Sequence, residues 1–329
     1  MSATLKILFL STWMNTLLLP AGDKSDVHLQ ANVDMVVLTL SVTDSKGNYV
    51  NGLKSEDLRI EEDGIPQQIK AFTEGARSSS DLSLDLTEGT KVFVLFDTSN
   101  WMYDRFAYAS DAIVEFVRRL GHADSIAVYK FSRNLYRAVS LTKDHDEALS
   151  AVRSAVAGDD TALYNTLLLT IRDAAKAAGK KAIVVFSNGP DNASVVTPDD
   201  VLAVAENEGV PIYIVSTRTK RMDPLTMEAL QRLTARTGGR LFWAESWQTQ
   251  TQAFNLVRLD LANSYTVAYY PFPNYKQGFR RITVSIVSPT GRKYRVQTRE
   301  GYRVQGHLPI ANVPRENPPR AIESRTGCK

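Results

Sequence analysis

Three short stretches carry oxygen-bearing side chains at positions suited to one kind of chemistry. The first is Asp97-Thr98-Ser99, which ends the apolar run Val92-Phe-Val-Leu-Phe96. The second is Thr161-Ala-Leu-Tyr164, and the third is Phe186-Ser187-Asn188-Gly189. An apolar, β-branched and aromatic run ending in Asp-Thr-Ser reads as a buried parallel strand with a carboxylate and a hydroxyl at its tip. Open α/β sheets bind ligands at such tips. Asp, Ser, Thr and Asn gathered at one rim would make an oxygen-donor set suited to a hard divalent cation such as Mg²⁺ or Mn²⁺.

The elements needed to position these groups are legible on both sides. Phe106, Ala109, Ile113, Phe116, Val117 and Leu120 make a helical stripe, as do Leu163, Leu167, Ile171, Ala174 and Ala178. Residues 181–186 and 210–217 read as further buried strands, 125–132 as a strand, and 135–141 as an edge hairpin arm. Pro198 and Pro224 stand where helices start, and Gly238-Gly239 where one ends. A short strand at 240–243 and a helix at 249–262 close the section. Such alternation predicts an α/β fold with a doubly wound, mostly parallel sheet covered on both faces.

Residues 33–74 and 262–304 are instead β-rich. Strands are expected at 35–43, 57–62, 67–73, 265–270, 280–287 and 293–298, with turns at Asp44-Ser-Lys-Gly47, Asp63-Gly64 and Ser288-Pro-Thr-Gly291. Either flank alone is too small to be stable. They are expected to pair into one small β-sandwich-like domain, with the α/β section at 90–261 inserted between them. Residues 75–90, rich in Ser, Asp and Leu, read as a linker. The stretch 305–329, with four prolines and scattered charge, reads as a disordered tail. Residues 1–22 have a lysine, a short apolar run and the exit Pro20-Ala21-Gly22, the layout of a signal peptide. This predicts a secreted, periplasmic or cell-surface protein, and no membrane span is expected after that segment.

The site residues also carry a resemblance. Asp97-x-Ser99, the Thr161-Ala-Leu-Tyr context, the Phe-Ser-Asn188-Gly-Pro-Asp191 context and Met102 are similar to the von Willebrand factor type A domain, over about residues 90–261, roughly half of the chain. The resemblance implies a metal-ion-dependent adhesion site, held by Asp97, Ser99, Thr161 and the position of Asn188. It also implies a protein ligand that gives the ion an acidic group. Two positions depart from the pattern, because Trp101 stands where a second Ser is expected and Asn188 where an Asp is expected. The site thereby keeps one carboxylate, and Asp159, Asp160 or Asp191 are candidates to compensate. Two readings stay open. The oxygens hold a weakly bound ion, or Asp97 and Ser99 cap backbone groups at the strand-to-helix turn. Trp101, Asn100 and Asp191 are the expected partner contacts, with Trp101 either a binding anchor or a plug.

Composition narrows the remaining classes. A net charge of +3 over 329 residues, with no dense Lys/Arg block, leaves no footprint for nucleic acid. Cys328 is the single cysteine, which excludes an internal disulfide and a cysteine zinc site. A phosphoryl-transfer hydrolase using Asp97 would want a second Asp where Ser99 stands, and no Gly-x-Ser-x-Gly elbow is present. The expectation is a non-catalytic binding or adhesion module. The alternative is a metal-free scaffold subunit of a cell-envelope complex. Asp159-Asp160 reads as a pair of helix N-terminal charges.

Overall fold

Residues 91–97 form the central strand that their apolar run predicts. The computed structural model describes residues 35–75, 77–78, 89–217, 223–272, 277–287 and 293–304. The expected signal segment, most of the linker, the turn at 288–291 and the tail with Cys328 lie outside the described residues. All described residues belong to one compact unit. The first flank holds β1 (Val36–Thr43), β2 (Leu58–Glu62), β3 (Ile65–Gln67), β4 (Ile69–Glu74) and β5 (Arg77–Ser78). The α/β section runs β6 (Lys91–Asp97), α1 (Phe106–Arg118), β7 (Ser125–Phe131), β8 (Leu135–Thr142), α2 (His145–Arg153), α3 (Leu163–Ala175), β9 (Lys181–Ser187), α4 (Pro198–Glu208), β10 (Ile212–Ser216), α5 (Pro224–Thr237), β11 (Leu241–Trp243) and α6 (Trp247–Ala262). The chain then returns to β12 (Ser264–Tyr269), β13 (Gly278–Ile286), β14 (Arg295–Gln297) and β15 (Gly301–Val304).

The six-stranded sheet has the order β11-β10-β9-β6-β7-β8, and only the edge strand β8 runs antiparallel to its neighbour. Its four central strands, β10, β9, β6 and β7, are buried on both faces. Helices α1, α2 and α6 pack on one side, and α3, α4 and α5 on the other. This is the doubly wound α/β sheet that the alternating elements imply. Strand β6 is laid first, β7 is added on one side and β9 on the other. The crevice between β6 and β9 is therefore the topological switch point, where loops diverge to opposite faces and ligands bind. Asp97 ends β6, and Asn188 follows β9.

The flanks pair with each other. Strand β12 lies between β1 and β4, antiparallel to both, within the five-stranded sheet β14-β1-β12-β4-β5. Strand β13 joins β2 in the four-stranded sheet β15-β13-β2-β3. Leu38, Leu40, Ile60, Phe72, Tyr265, Val267 and Ile282 fill the core between them. A buried Glu62 accepts hydrogen bonds from Tyr269 Oη, Tyr302 Oη and Arg280 Nη1, each at 3.0 Å. It ties both sheets through one carboxylate.

The two layers meet through polar contacts. Tyr49 Oη donates to Asp260 Oδ1 at 2.6 Å, and Gln297 Nε2 donates to the Gly239 carbonyl at 2.7 Å. Arg303 Nε donates to the buried Glu206 at 2.8 Å. Gly239 has no room for a side chain, since a Cβ would stand 1.9 Å from the Ile212 carbonyl oxygen. Pro198 and Pro224 occupy first helical positions behind the caps Thr197 and Asp223.

Candidate functional site

The site is assembled by loops at the C-terminal ends of β6 and β9 and by the turn before α3. Asp97 has no exposed surface, and both its oxygens are engaged. Oδ1 accepts the Ser99 N–H at 2.9 Å, and Oδ2 accepts the Ser187 hydroxyl at 2.6 Å. The Ser187 oxygen in turn accepts the Gly189 N–H at 3.0 Å. Burial pushes the Asp97 carboxyl above its ordinary range, partly offset by the Ser187 hydroxyl and the Ser99 and Asn188 backbone N–H groups.

Backbone hydrogen bonds bring the other loops to the same edge. The Gly158 N–H reaches the Thr98 carbonyl at 2.6 Å, and the Asn100 N–H reaches the Asp159 carbonyl at 2.8 Å. The Thr161 carbonyl accepts from the N–H groups of Asn192 and Ala193 at 3.0 and 3.1 Å. The Asn192 side chain returns a bond from its Oδ1 to the Thr161 N–H at 2.8 Å. Three separated loops are thus stitched together by main-chain contacts.

Three buried oxygens in this assembly have no hydrogen-bond partner: Ser99 Oγ, Thr161 Oγ1 and Asn188 Oδ1. Ser99 and Thr161 are fully buried, and Asn188 is nearly so. Each such group costs roughly 1–3 kcal/mol when left unpaired. Carrying three in one place is a large fraction of a domain's stability of about 5–15 kcal/mol. Capping accounts for the Asp97 carboxylate, but not for these three atoms. One carboxylate and three neutral oxygens fit a hard cation, which takes oxygen ligands and is held through one or two carboxylates. Among the described residues no group of three or more His, Cys, Asp or Glu side chains is placed to hold a metal ion. Any cation here would rest on the single carboxylate of Asp97 and the neutral oxygens.

Two of the candidate compensating acids, Asp191 and Asp160, are engaged elsewhere. Asp191 turns its carboxylate inward, where it accepts from the Tyr164, Ala193 and Ser194 N–H groups and the Ser194 hydroxyl at 2.7–3.2 Å. It clasps the loop after β9 onto the first turn of α3. Asp160 pairs with Arg133 and with Asn192 Nδ2. These contacts hold its carboxyl below the usual carboxylate range. The expected charge pair at the α3 N-terminus is therefore corrected. The helix starts at Leu163 behind Ala162, and Asp160 bonds across loops instead.

Asn100 is exposed, and Trp101 is 56% exposed. Other exposed apolar residues on the same loop edge carried no signal in the sequence. They are Val156 before α3, Val195 after β9, Leu225 at the start of α5 and Trp247 at the start of α6. An apolar residue beside a helix start reads as part of the coming stripe until its exposure is known.

Residues 92–190 match the family model of the von Willebrand factor type A domain. That stretch is of the von Willebrand factor type A kind. The matched stretch contains Asp97, Ser99, Thr161 and Asn188, and the α/β sheet around it is the type A fold. No curated protein matches the chain. Solved structures similar to it include an aerotolerance-related membrane protein from Bacteroides fragilis, at 16% identity and a TM-score of 0.43, covering 53% of this chain and 98% of that one. BatB from Bacteroides thetaiotaomicron is 19% identical over 52% of this chain and 98% of its own, with a TM-score of 0.43. The type A protein from Catenulispora acidiphila is 13% identical over 75% of each chain, with a TM-score of 0.45.

Proposed function

We propose that this type A protein is an exported, non-catalytic protein-binding module, and that its contact surface is the loop edge around Asp97. The observation that carries the reading is the set of three unpartnered, buried oxygens beside a buried carboxylate, on an edge bearing exposed Trp101, Val156, Val195, Leu225 and Trp247. Large apolar and aromatic side chains around a polar centre are what a protein interface uses as anchors. A carboxylate whose two oxygens are already engaged suits a fixed anchor better than a nucleophile.

Ser99, Thr161, Asn188 and Asp97 would hold the ion, Mg²⁺ or Mn²⁺. Such an ion supplies a positive centre for an acidic group of the partner. With one carboxylate the binding is expected to be weak. Asn100 and Trp101 would meet the partner directly, while Asp191 acts by holding the loop after β9 in place. Among the described residues no helix is long and apolar enough to cross a membrane.

The test is a pull-down from the native secretome on the immobilised protein, with and without Mn²⁺. Trp101→Ala and Leu225→Ala should each reduce the retained partner several-fold, and Asp97→Ala should remove the Mn²⁺-dependent part. A partner retained equally by all three variants refutes the assignment of this edge.

A further inference from the structure

At the opposite end of the sheet from Asp97, where the chain enters β6 and leaves α6, lies a cavity of about 270 Å³. This is just below the range of roughly 300–1,000 Å³ typical of small-molecule sites. Among the described residues Lys180, Arg119 and Arg258 line it, with Asp124 the one carboxylate. Lys180 is 6% exposed, and its ammonium donates to the carbonyl of Leu261. Asp124 does not answer it with a hydrogen bond, since Oδ1 accepts the Thr90 N–H at 2.7 Å and Oδ2 the Gly121 N–H at 2.9 Å. Among the described residues Arg119 is partly matched by Glu115, and Arg258 meets the neutral Asn255 amide oxygen. The described lining therefore holds more positive than negative charge, around a lysine whose buried ammonium has one acceptor among the described residues. Burial drives that ammonium down to about 8, with Asp124 opposing the shift.

A buried lysine is costly unless something compensates its charge. An apolar filler would leave the charge uncompensated, whereas an anion would give it acceptors and draw on both arginines. We propose that this cavity is a binding site for a small polyanion, a ligand with two or more anionic oxygens such as a phosphomonoester or a polycarboxylate. The site is separate from the loop edge around Asp97, and the inference does not depend on the protein-binding reading.

The experiment is calorimetric titration of the full chain with inorganic phosphate, and separately with citrate, at constant ionic strength. Saturable heat is expected from at least one probe at pH 8. Repeating it in two buffers of different ionisation enthalpy should show proton uptake, because the anion favours the charged amine. Lys180→Met should weaken binding at least tenfold. Arg258→Gln, a change at a partly exposed position that spares the fold, should weaken it several-fold. The proposal is overturned by an absence of saturable heat with both probes into the tens of millimolar. Equal affinity in the native protein and in Arg258→Gln and Lys180→Met overturns it as well.

Discussion

Thr161→Val gives the sharpest test of the ion reading, because its expected effect changes sign with the cation. The substitution keeps the β-branched shape and replaces one hydroxyl with a methyl group. Thr161 is fully buried, its Oγ1 has no partner, and its backbone N–H keeps its bond to Asn192 Oδ1. In chelator the variant sheds an unpaired polar atom, so it should gain roughly 1–3 kcal/mol of stability. At about 2 °C per kcal/mol for a chain of this size, the melting temperature should rise by about 2–6 °C. With ion present the native protein gains RT ln(1 + [L]/Kd), or about 2.7 kcal/mol at a hundredfold excess over Kd. The variant, lacking one oxygen ligand, should gain much less. The order of melting temperatures should then close or invert as Mg²⁺ or Mn²⁺ is added. Differential scanning calorimetry with chelator and with millimolar ion reads both arms. A Thr161→Val protein less stable than native in chelator, with neither responding to ion, would show that the hydroxyl is satisfied within the protein and that no cation belongs there.

Two further outcomes follow from buried charges. Asp97 titrates above its ordinary range in the folded state, so without ion its own contribution to stability is greatest in acid and is lost as pH rises from about 3.8 through the raised folded value. Asp97→Asn should flatten that decline and abolish any ion-dependent stabilisation; a decline with pH as steep as the native one in chelator points to another group. In the sandwich, Arg280→Met removes the cation hydrogen-bonded to Glu62, leaving it the Tyr269 and Tyr302 hydroxyls and the nearby buried Arg299. It should cost roughly 3–5 kcal/mol in urea unfolding, and a loss under 1 kcal/mol would show that these remaining groups suffice.

Much of this architecture was written locally in the chain, and the exceptions share a cause. Strand β6 was legible because an apolar run with a polar end admits few other readings. The pairing of the flanks was legible because neither could close a core alone, and β1 with β12 and β2 with β13 bear that out. Helix α2 was missed although its N-cap was present in the sequence. Asp144 accepts from the Asp146 and Glu147 N–H groups, but nine residues after an edge strand read as loop. Strand β15 was missed because its four residues are fixed by distant partners, β13 through the ladder and Glu206 through Arg303. Asp160 was misread for the same reason. A helix-dipole role can be inferred from neighbours, whereas an ion pair with Arg133 needs the fold.

The candidate site sits between these cases. Asp97, Ser99 and Thr161 were readable by type and context. What holds them together is almost entirely main chain: Thr98 to Phe131 and Gly158, Asn100 to Asp159, and Thr161 to Asn192 and Ala193. None of these bonds uses a side chain at the positions of Trp101 or Asn188, so substitutions there alter the ligand set without unstitching the loops. Asp191 strengthens the same point, since its carboxylate caps α3 and does not reach the cradle. A framework independent of the ion can tolerate weak or intermittent occupancy. It then keeps the surrounding apolar residues in place, and partner binding can outlast the metal. On that ground Trp101→Ala should weaken the partner even in chelator, where Asp97→Ala has little left to remove.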